Sequence, residues 1–310
     1  MRKQLNVLQA GKALLLLLLL GFIWGSGYSL ARYAMLNQVS PLGYAFWQSA
    51  GPAFLLTLLC LFKKRKALFQ FSYWPYYYAC GLLGIAVPNT NMYFIAPHIP
   101  AGLLAVLVNI VPLLVYPLAL IFRQERFDLG RITAVFLGVF GILLILSPAN
   151  AGLTTHWAVI ALISPLAFAI CSIFISIYQP KSVDALSAAC GMLITATFML
   201  IPVICKQHAF YSLMPPMTLP KQAILLEIIL STLGYILFFK LINFAGPVFY
   251  SLTGGAVALT GLFWGFIIFH EIPTQSQMIA IACIIIAIVL LSWRQSQQTN
   301  YLIKEACYPS

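Results

Sequence analysis

The sequence is poor in charge. Of 310 residues only 7% are Asp, Glu, Lys or Arg, and six acids stand against seventeen Lys and Arg. A soluble domain carries about a quarter charged residues, so a soluble enzyme and a free DNA-binding module are both excluded. The net charge of +11 does not argue for nucleic acid in a chain made of apolar runs. Seven cysteines include no CxxC pair, which leaves no sign of a disulfide framework; they read as small apolar residues. The histidines, His98, His156, His208 and His270, share no metal-ligand spacing, and no metal site is expected. No phosphate-cradling loop or Walker-type motif occurs. ATP-driven transport within the chain is thereby excluded, and no cofactor is expected.

What the chain does have is length of apolar run. Hydrophobic residues make up 62% of it, in stretches near the roughly 20 residues that a helix needs to cross a bilayer. Transmembrane β-barrels alternate polar and apolar residues over about ten positions, and this sequence does not. The pattern predicts an all-α membrane protein with ten spans: 12–34, 41–62, 74–97, 100–122, 129–147, 157–179, 185–205, 222–244, 247–269 and 275–293. The first, running from Leu14–Leu20 on through Trp24, is too long for a signal peptide's apolar core and reads as a retained helix.

Lys and Arg counts orient the spans. With the N-terminus in the cytoplasm, that side holds fourteen of them, including Lys12, Lys63, Lys64, Arg65, Lys66, Arg123, Arg126, Arg131 and Lys181; the other side holds Arg32, Lys206 and Lys221. The positive-inside rule therefore expects both termini in the cytoplasm, in a multi-pass protein of a bacterial inner membrane.

A repeat lies beneath the spans. Glu125 follows the fourth and Glu271 the ninth, 146 positions apart. The same offset lays Phe22 on Phe168, Ser26 on Ser172, Val111 on Val257 and Leu113 on Leu259. A five-span unit is odd-numbered, so its second copy enters the membrane inverted, as in known transporter constructions. The expected organisation is a tail at 1–11, a first five-helix repeat at 12–148, a second at 153–294 and a tail at 295–310.

Particular positions then resemble a known family. Trp24-Gly25-Ser26 in span 1, Ser40-Pro41 opening span 2, Pro112 in span 4, Gly130, Gly138 and Gly141 in span 5, and the paired Glu125 and Glu271 are similar to the drug/metabolite transporter superfamily and its EamA-type ten-helix family. The resemblance covers roughly residues 12–293. It implies a single polypeptide with a central cavity lined chiefly by spans 1, 3, 4, 6, 8 and 9, and transport of small organic solutes, often amino acids and often outward. One departure is Gln48, seven residues after the proline of span 2, where the family frequently carries arginine.

Candidate transport residues follow from polar groups at helical spacing. An ionisable side chain inside lipid is a functional suspect by default. Glu227 in span 8 shares a face with Ser231 and Tyr235 at four-residue steps, and is the candidate for proton coupling or for holding a substrate amine; an interfacial bond to a neighbouring helix is the plainer reading. Further cavity candidates are Trp24 and Tyr28 in span 1, Asn89 and Asn91 in span 3, Asn109 and Tyr116 in span 4, Ser172 in span 6, and Tyr250, Thr253, Thr260 and Trp264 in span 9. Such groups suit a neutral or zwitterionic solute, with rings able to hold a cation; interhelical hydrogen bonding is the alternative for each. Arg32 either attracts an anion or anchors an interface, Lys240 snorkels, and the Gly21/Gly25 and Gly261/Gly265 spacings favour close helix packing. Glu125 and Glu271 either fix loop geometry or bridge gates.

The leading expectation is a secondary transporter of a small organic metabolite working by alternating access, with membrane lipid and substrate as partners, as a monomer or homodimer. The competing class is an intramembrane lipid-modifying enzyme. It needs an acid/base or nucleophile set converging at one depth, and the spans contain no Asp and no mid-membrane His.

Overall fold

A computed structural model of the chain describes residues 7–125, 127–146, 155–245 and 253–307. Among these the secondary structure is helical throughout, with no strand. The helices are α1 (Val7–Leu36), α2 (Pro41–Phe62), α3 (Trp74–Gly81), α4 (Val87–Ile95), α5 (Ala101–Val108), α6 (Val111–Ile121), α7 (Leu129–Ile145), α8 (Thr155–Ala161), α9 (Ile163–Tyr178), α10 (Ala185–Gln207), α11 (Leu219–Ala245), α12 (Thr253–Phe269) and α13 (Gln275–Cys307).

Among the described residues six helical stretches are long and apolar enough to cross a membrane: Gly11–Leu36, Pro41–Phe62, Ala101–Ile121, His156–Tyr178, Ala185–Gln207 and Leu219–Phe238. Leu129–Ile145, Thr253–Phe269 and the Gln275–Leu291 part of α13 are shorter apolar stretches. Large apolar side chains such as Leu14, Phe54, Phe136, Phe198 and Phe266 face outward, which water would penalise and lipid tails do not. The chain is a multi-pass integral membrane protein.

Local chemistry sets where helices begin and bend. Ser40 caps α2 through its hydroxyl, which accepts from the Gly43 N–H, and Pro41 opens the helix where its missing donor costs nothing. Pro88 cannot bond back to Gly84, and Leu82–Ala86 widen into a π-helical stretch that carries α3 into α4. Pro112 similarly precludes a bond to Val108, and the chain breaks at Asn109-Ile110 between α5 and α6. Both interruptions are legible as prolines.

The helix ends gather into two faces. One, here the Arg32 end, joins the end of α1 to the start of α5 and the end of α12. The other, the Arg65 end, joins the 63–66 turn to the start of α10, where Arg65 pairs with Asp184 at 3.6 Å.

Helix packing is reciprocal between residues 7–146 and 155–307. α7 packs on α13, α2 on α10 and α5 on α12. α1 lies against α11 and α12, while α9 lies against α4 and α6. α3 lies on α10 as α11 lies on α2. Exchanging the two halves leaves this pattern of partners unchanged. The α1–α12 seam is close because glycine permits it: a Cβ on Gly25 would come within 2.8 Å of the Gly261 amide nitrogen, and one on Gly21 within 2.8 Å of the Ala256 Cβ.

Candidate functional site

Glu227 is the acidic side chain that the described helices bury, at 8% exposure on α11. Its Oε1 accepts from the Ser231 hydroxyl at 2.8 Å, one turn along the same helix. Its Oε2 has no hydrogen-bond partner among the described residues. Across the seam it faces α1 at Gly27, where a Cβ would stand 3.3 and 3.4 Å from the two carboxylate oxygens. Glycine at that position gives the carboxylate its room, and the group sits on the contact between the two halves.

Tyrosines stand on the neighbouring helices. Tyr28, one residue beyond Gly27, accepts from Asn109 Nδ2 at 3.0 Å. Asn109 sits at the α5–α6 break and also donates to the Ala105 carbonyl at 2.8 Å. Tyr44 and Tyr93 meet edge to face with centroids 4.7 Å apart, and both lie within electrostatic range of Glu227. The Tyr44 hydroxyl is buried without a partner among the described residues. Tyr235, two turns along α11, meets Trp24 edge to face at 6.2 Å, and Trp24 lies over Gly234. A carboxylate in this setting is completed by a proton or a cation, because an unpaired ion buried away from water is costly.

Of the expected residues the structure joins Glu227 to Ser231, Tyr28 to Asn109 and Trp24 to Tyr235. Thr253 is buried at the start of α12, its hydroxyl without a partner among the described residues, and its neighbour Gly254 lies near the Asn109 carbonyl. Tyr250 lies outside the described residues.

Others bond to neighbouring helices or to their own backbone. Asn89 donates to Gln48 at 3.1 Å. Asn91 donates to the Ile160 carbonyl and to Ser164, whose hydroxyl in turn donates to the Pro88 carbonyl at 2.8 Å. That last bond gives the proline-interrupted region a partner on the opposite half. Thr260 donates to the Gly21 carbonyl at 2.6 Å and stitches the α1–α12 seam. Trp264 donates to the Phe22 carbonyl at 3.1 Å on an exposed flank. Ser172 is exposed and bonds back to the Phe168 carbonyl. The Tyr116 hydroxyl accepts from the Asp128 N–H at 2.9 Å, away from Glu227.

Two sets of residues stand out only in the fold. Tyr44 and Tyr93 stand one turn from Gln48 and Asn89 on their own helices, so four-residue spacing is the signal that could have found them. Arg131, counted with the connecting residues, is buried on α7 at 2% exposure. Its Nη1 bonds Glu125 Oε2 at 3.0 Å, and its guanidinium lies 5.1 Å from the Tyr116 ring centroid.

At the Arg32 end, Arg32 Nε stands 3.4 Å from Glu271 Oε1, and the guanidinium also donates to the Ile99 carbonyl. Glu271 accepts the Ala101 and Gly102 N–H groups at 3.0 and 3.2 Å, capping α5. Two surface grooves lie apart from the Glu227 cluster. One, of about 560 Å³, is lined by Phe46, Ile201, Ile204, Cys205, His208 and Phe210; the other runs between α1 and α11.

Comparison with known proteins agrees with this architecture. A solved protein crystal structure is similar over 90% of this chain and 97% of its own, with a TM-score of 0.60 at 14% identity, a likeness that speaks for the fold alone. Among curated proteins no sequence matches. The EamA-like transporter family matches residues 11–147 and again 155–293. Nearly the whole chain is accounted for, once in each half, and the chain belongs to the EamA-like transporter family, membrane transporters of the drug/metabolite type.

Proposed function

We propose that the protein is a secondary transporter that exports a small organic metabolite, an amino acid or a related amine-bearing solute, by alternating access. In this reading ten membrane crossings form two inverted five-helix repeats, 12–148 and 153–294, with both termini in the cytoplasm of a bacterial inner membrane. The reciprocal helix packing supports it, since two near-equivalent halves can exchange conformations of similar energy. The observation that carries the reading is the placement of Glu227, a buried carboxylate with one unpartnered oxygen on the seam between the halves. Ser231, Tyr28, Asn109 and the rings of Trp24, Tyr44, Tyr93 and Tyr235 supply hydroxyls, an amide and aromatic faces around it. Glu227 is the group that carries a proton inward as solute leaves.

Counterflow in liposomes across a panel of amino acids, amines and sugar derivatives tests transport itself, and exchange of at least one small solute is expected. With an exported solute, acid on the receiving side accelerates export. Glu227→Gln removes that acceleration while leaving the fold intact, because the amide still accepts from Ser231. A variant that keeps the full pH response assigns the proton elsewhere.

A further inference from the structure

α1 and α11 form a packed seam that opens toward the Arg65 end. Leu17, Leu20 and Leu241 close the seam, with Leu16, Leu237 and Phe238 packed on them. Beyond it a groove of about 550 Å³ is lined by Lys12, Leu15, Leu16, Lys240 and Phe244. Its floor is apolar and its rim carries two ammonium groups. Lys12 comes from the first half of the chain and Lys240 from the second.

The two lysines differ from Arg65 and Arg131 at the same end. Arg65 is paired with Asp184 and Arg131 with Glu125. Lys12 and Lys240 are exposed and form no ion pair among the described residues. Lys12 begins the second turn of α1, and Lys240 stands about a turn and a half before Ala245, the end of α11. Lys12 opens the apolar run of the first span, and Lys240 stands about a turn from the end of the 222–244 run, where its long stem reaches outward. That is headgroup depth, at the end of the bundle that gathers most of the Lys and Arg.

Two like charges over one trough repel each other and attract a shared anion. A soluble anion gains nothing from Leu15, Leu16 and Phe244, and a neutral lipid gains nothing from the ammonium pair. A ligand with a phosphate and an acyl chain satisfies both surfaces. We propose that this groove binds one anionic phospholipid, its phosphate between Lys12 and Lys240 and an acyl chain along Leu15, Leu16 and Phe244. The bound lipid ties α1 to α11 and so joins the two halves at this end. The inference does not depend on which solute the protein carries.

Native mass spectrometry of the full-length protein, released from mixed phosphatidylglycerol and phosphatidylcholine, tests the assignment. A lysine near an anionic lipid surface gains about five-fold in favour of that lipid, so two predict about a 25-fold preference in the most tightly held molecule. Lys12→Gln or Lys240→Gln alone lowers that preference about five-fold, and the double variant removes it. Lys12→Arg with Lys240→Arg keeps it, which separates charge from folding. Leu16→Trp, which fills the trough, lowers retention of both lipids. A double glutamine variant that retains the preference overturns the proposal. So does displacement of the lipid by millimolar glycerol phosphate, which would make the ligand a soluble anion.

Discussion

Each end of the bundle contains an arginine, a glutamate and an aromatic ring in contact, and the two sets are built differently. At the Arg32 end, Arg32 lies 5.4 Å from the Phe269 ring centroid and pairs with Glu271. The participants come from α1, from the start of α5 and the turn before it, and from the end of α12 and the residues after it, so the contact crosses between the halves. At the Arg65 end, Arg131 lies over Tyr116 and pairs with Glu125. Asp128 completes the set by accepting from the Arg131 N–H at 2.8 Å. Every member falls within residues 116–131, on one stretch of chain. Glu125 and Glu271 are equivalent in the sequence repeat, yet one fastens a turn and the other fastens two halves. Equivalence of position does not carry equivalence of partner. The Arg32 set has the connectivity of a gate and the Arg131 set that of a clasp within one half.

The burial of the two arginines predicts the largest separation. Arg131 is almost fully enclosed, with a side-chain exposure of 2%, whereas Arg32 retains 18%. Removing the partner of a buried ion leaves an uncompensated charge, costing about 3–5 kcal/mol. Glu125 is itself partly exposed, so Glu125→Ala is expected near the lower figure, about 3 kcal/mol, in denaturation of the purified chain. The surviving folded fraction should transport at the normal rate. A loss no greater than that of a surface pair, about 1 kcal/mol or less, would erase the distinction between clasp and gate.

Glu271→Gln should show the opposite profile. A carboxylate accepting two backbone N–H groups at a helix start is replaced by an amide with one acceptor oxygen, and the Arg32 pairing goes with it. Charge-assisted bonds of this kind contribute about 1.5–3 kcal/mol, so amide hydrogen exchange at Ala101 and Gly102 is expected to rise about ten-fold or more, with global stability moved far less. On the proposed alternating-access reading turnover falls in parallel, because this contact joins the halves at this end. The charge swap Arg32→Glu with Glu271→Arg should fail to restore slow exchange, since a guanidinium cannot accept the α5 amides. Restoration by the swap would reduce the contact to a plain ion pair.

Much of this architecture is legible in the amino-acid order. Long apolar runs, proline positions and the offset between the two glutamates require no tertiary information, and helix existence follows from them. Glu227, Ser231 and Tyr235 are legible because one helix fixes their spacing. Contacts between helices are not. Nothing in α7's own sequence shows that Arg131 turns inward, because its enclosure depends on Tyr116 and Glu125 folding over it. Likewise Thr260 and Trp264 share a periodic face with cavity candidates, but the glycines of α1 draw α12 so close that the carbonyls of Gly21 and Phe22 become their partners. Periodicity gives the face and not what it meets.

The smallest expected effect isolates what arginine adds to the Arg32 contact. Lysine at position 32 preserves the charge opposite Glu271 and leaves the α5 cap in place. It forfeits the planar fork, which reaches both Glu271 and the Ile99 carbonyl and lies near the Phe269 ring. An exposed cation–π contact is worth about 0.5–1 kcal/mol, so Arg32→Lys should speed exchange at Ala101 and Gly102 by only about two- to five-fold, well short of Glu271→Gln. The ordering matters more than the size. If Arg32→Lys is as damaging as the neutral Arg32→Gln, the fork and the ring hold the two halves together and the ionic attraction contributes little. If lysine is silent, the cap made by Glu271 is sufficient and Arg32 serves only to orient it.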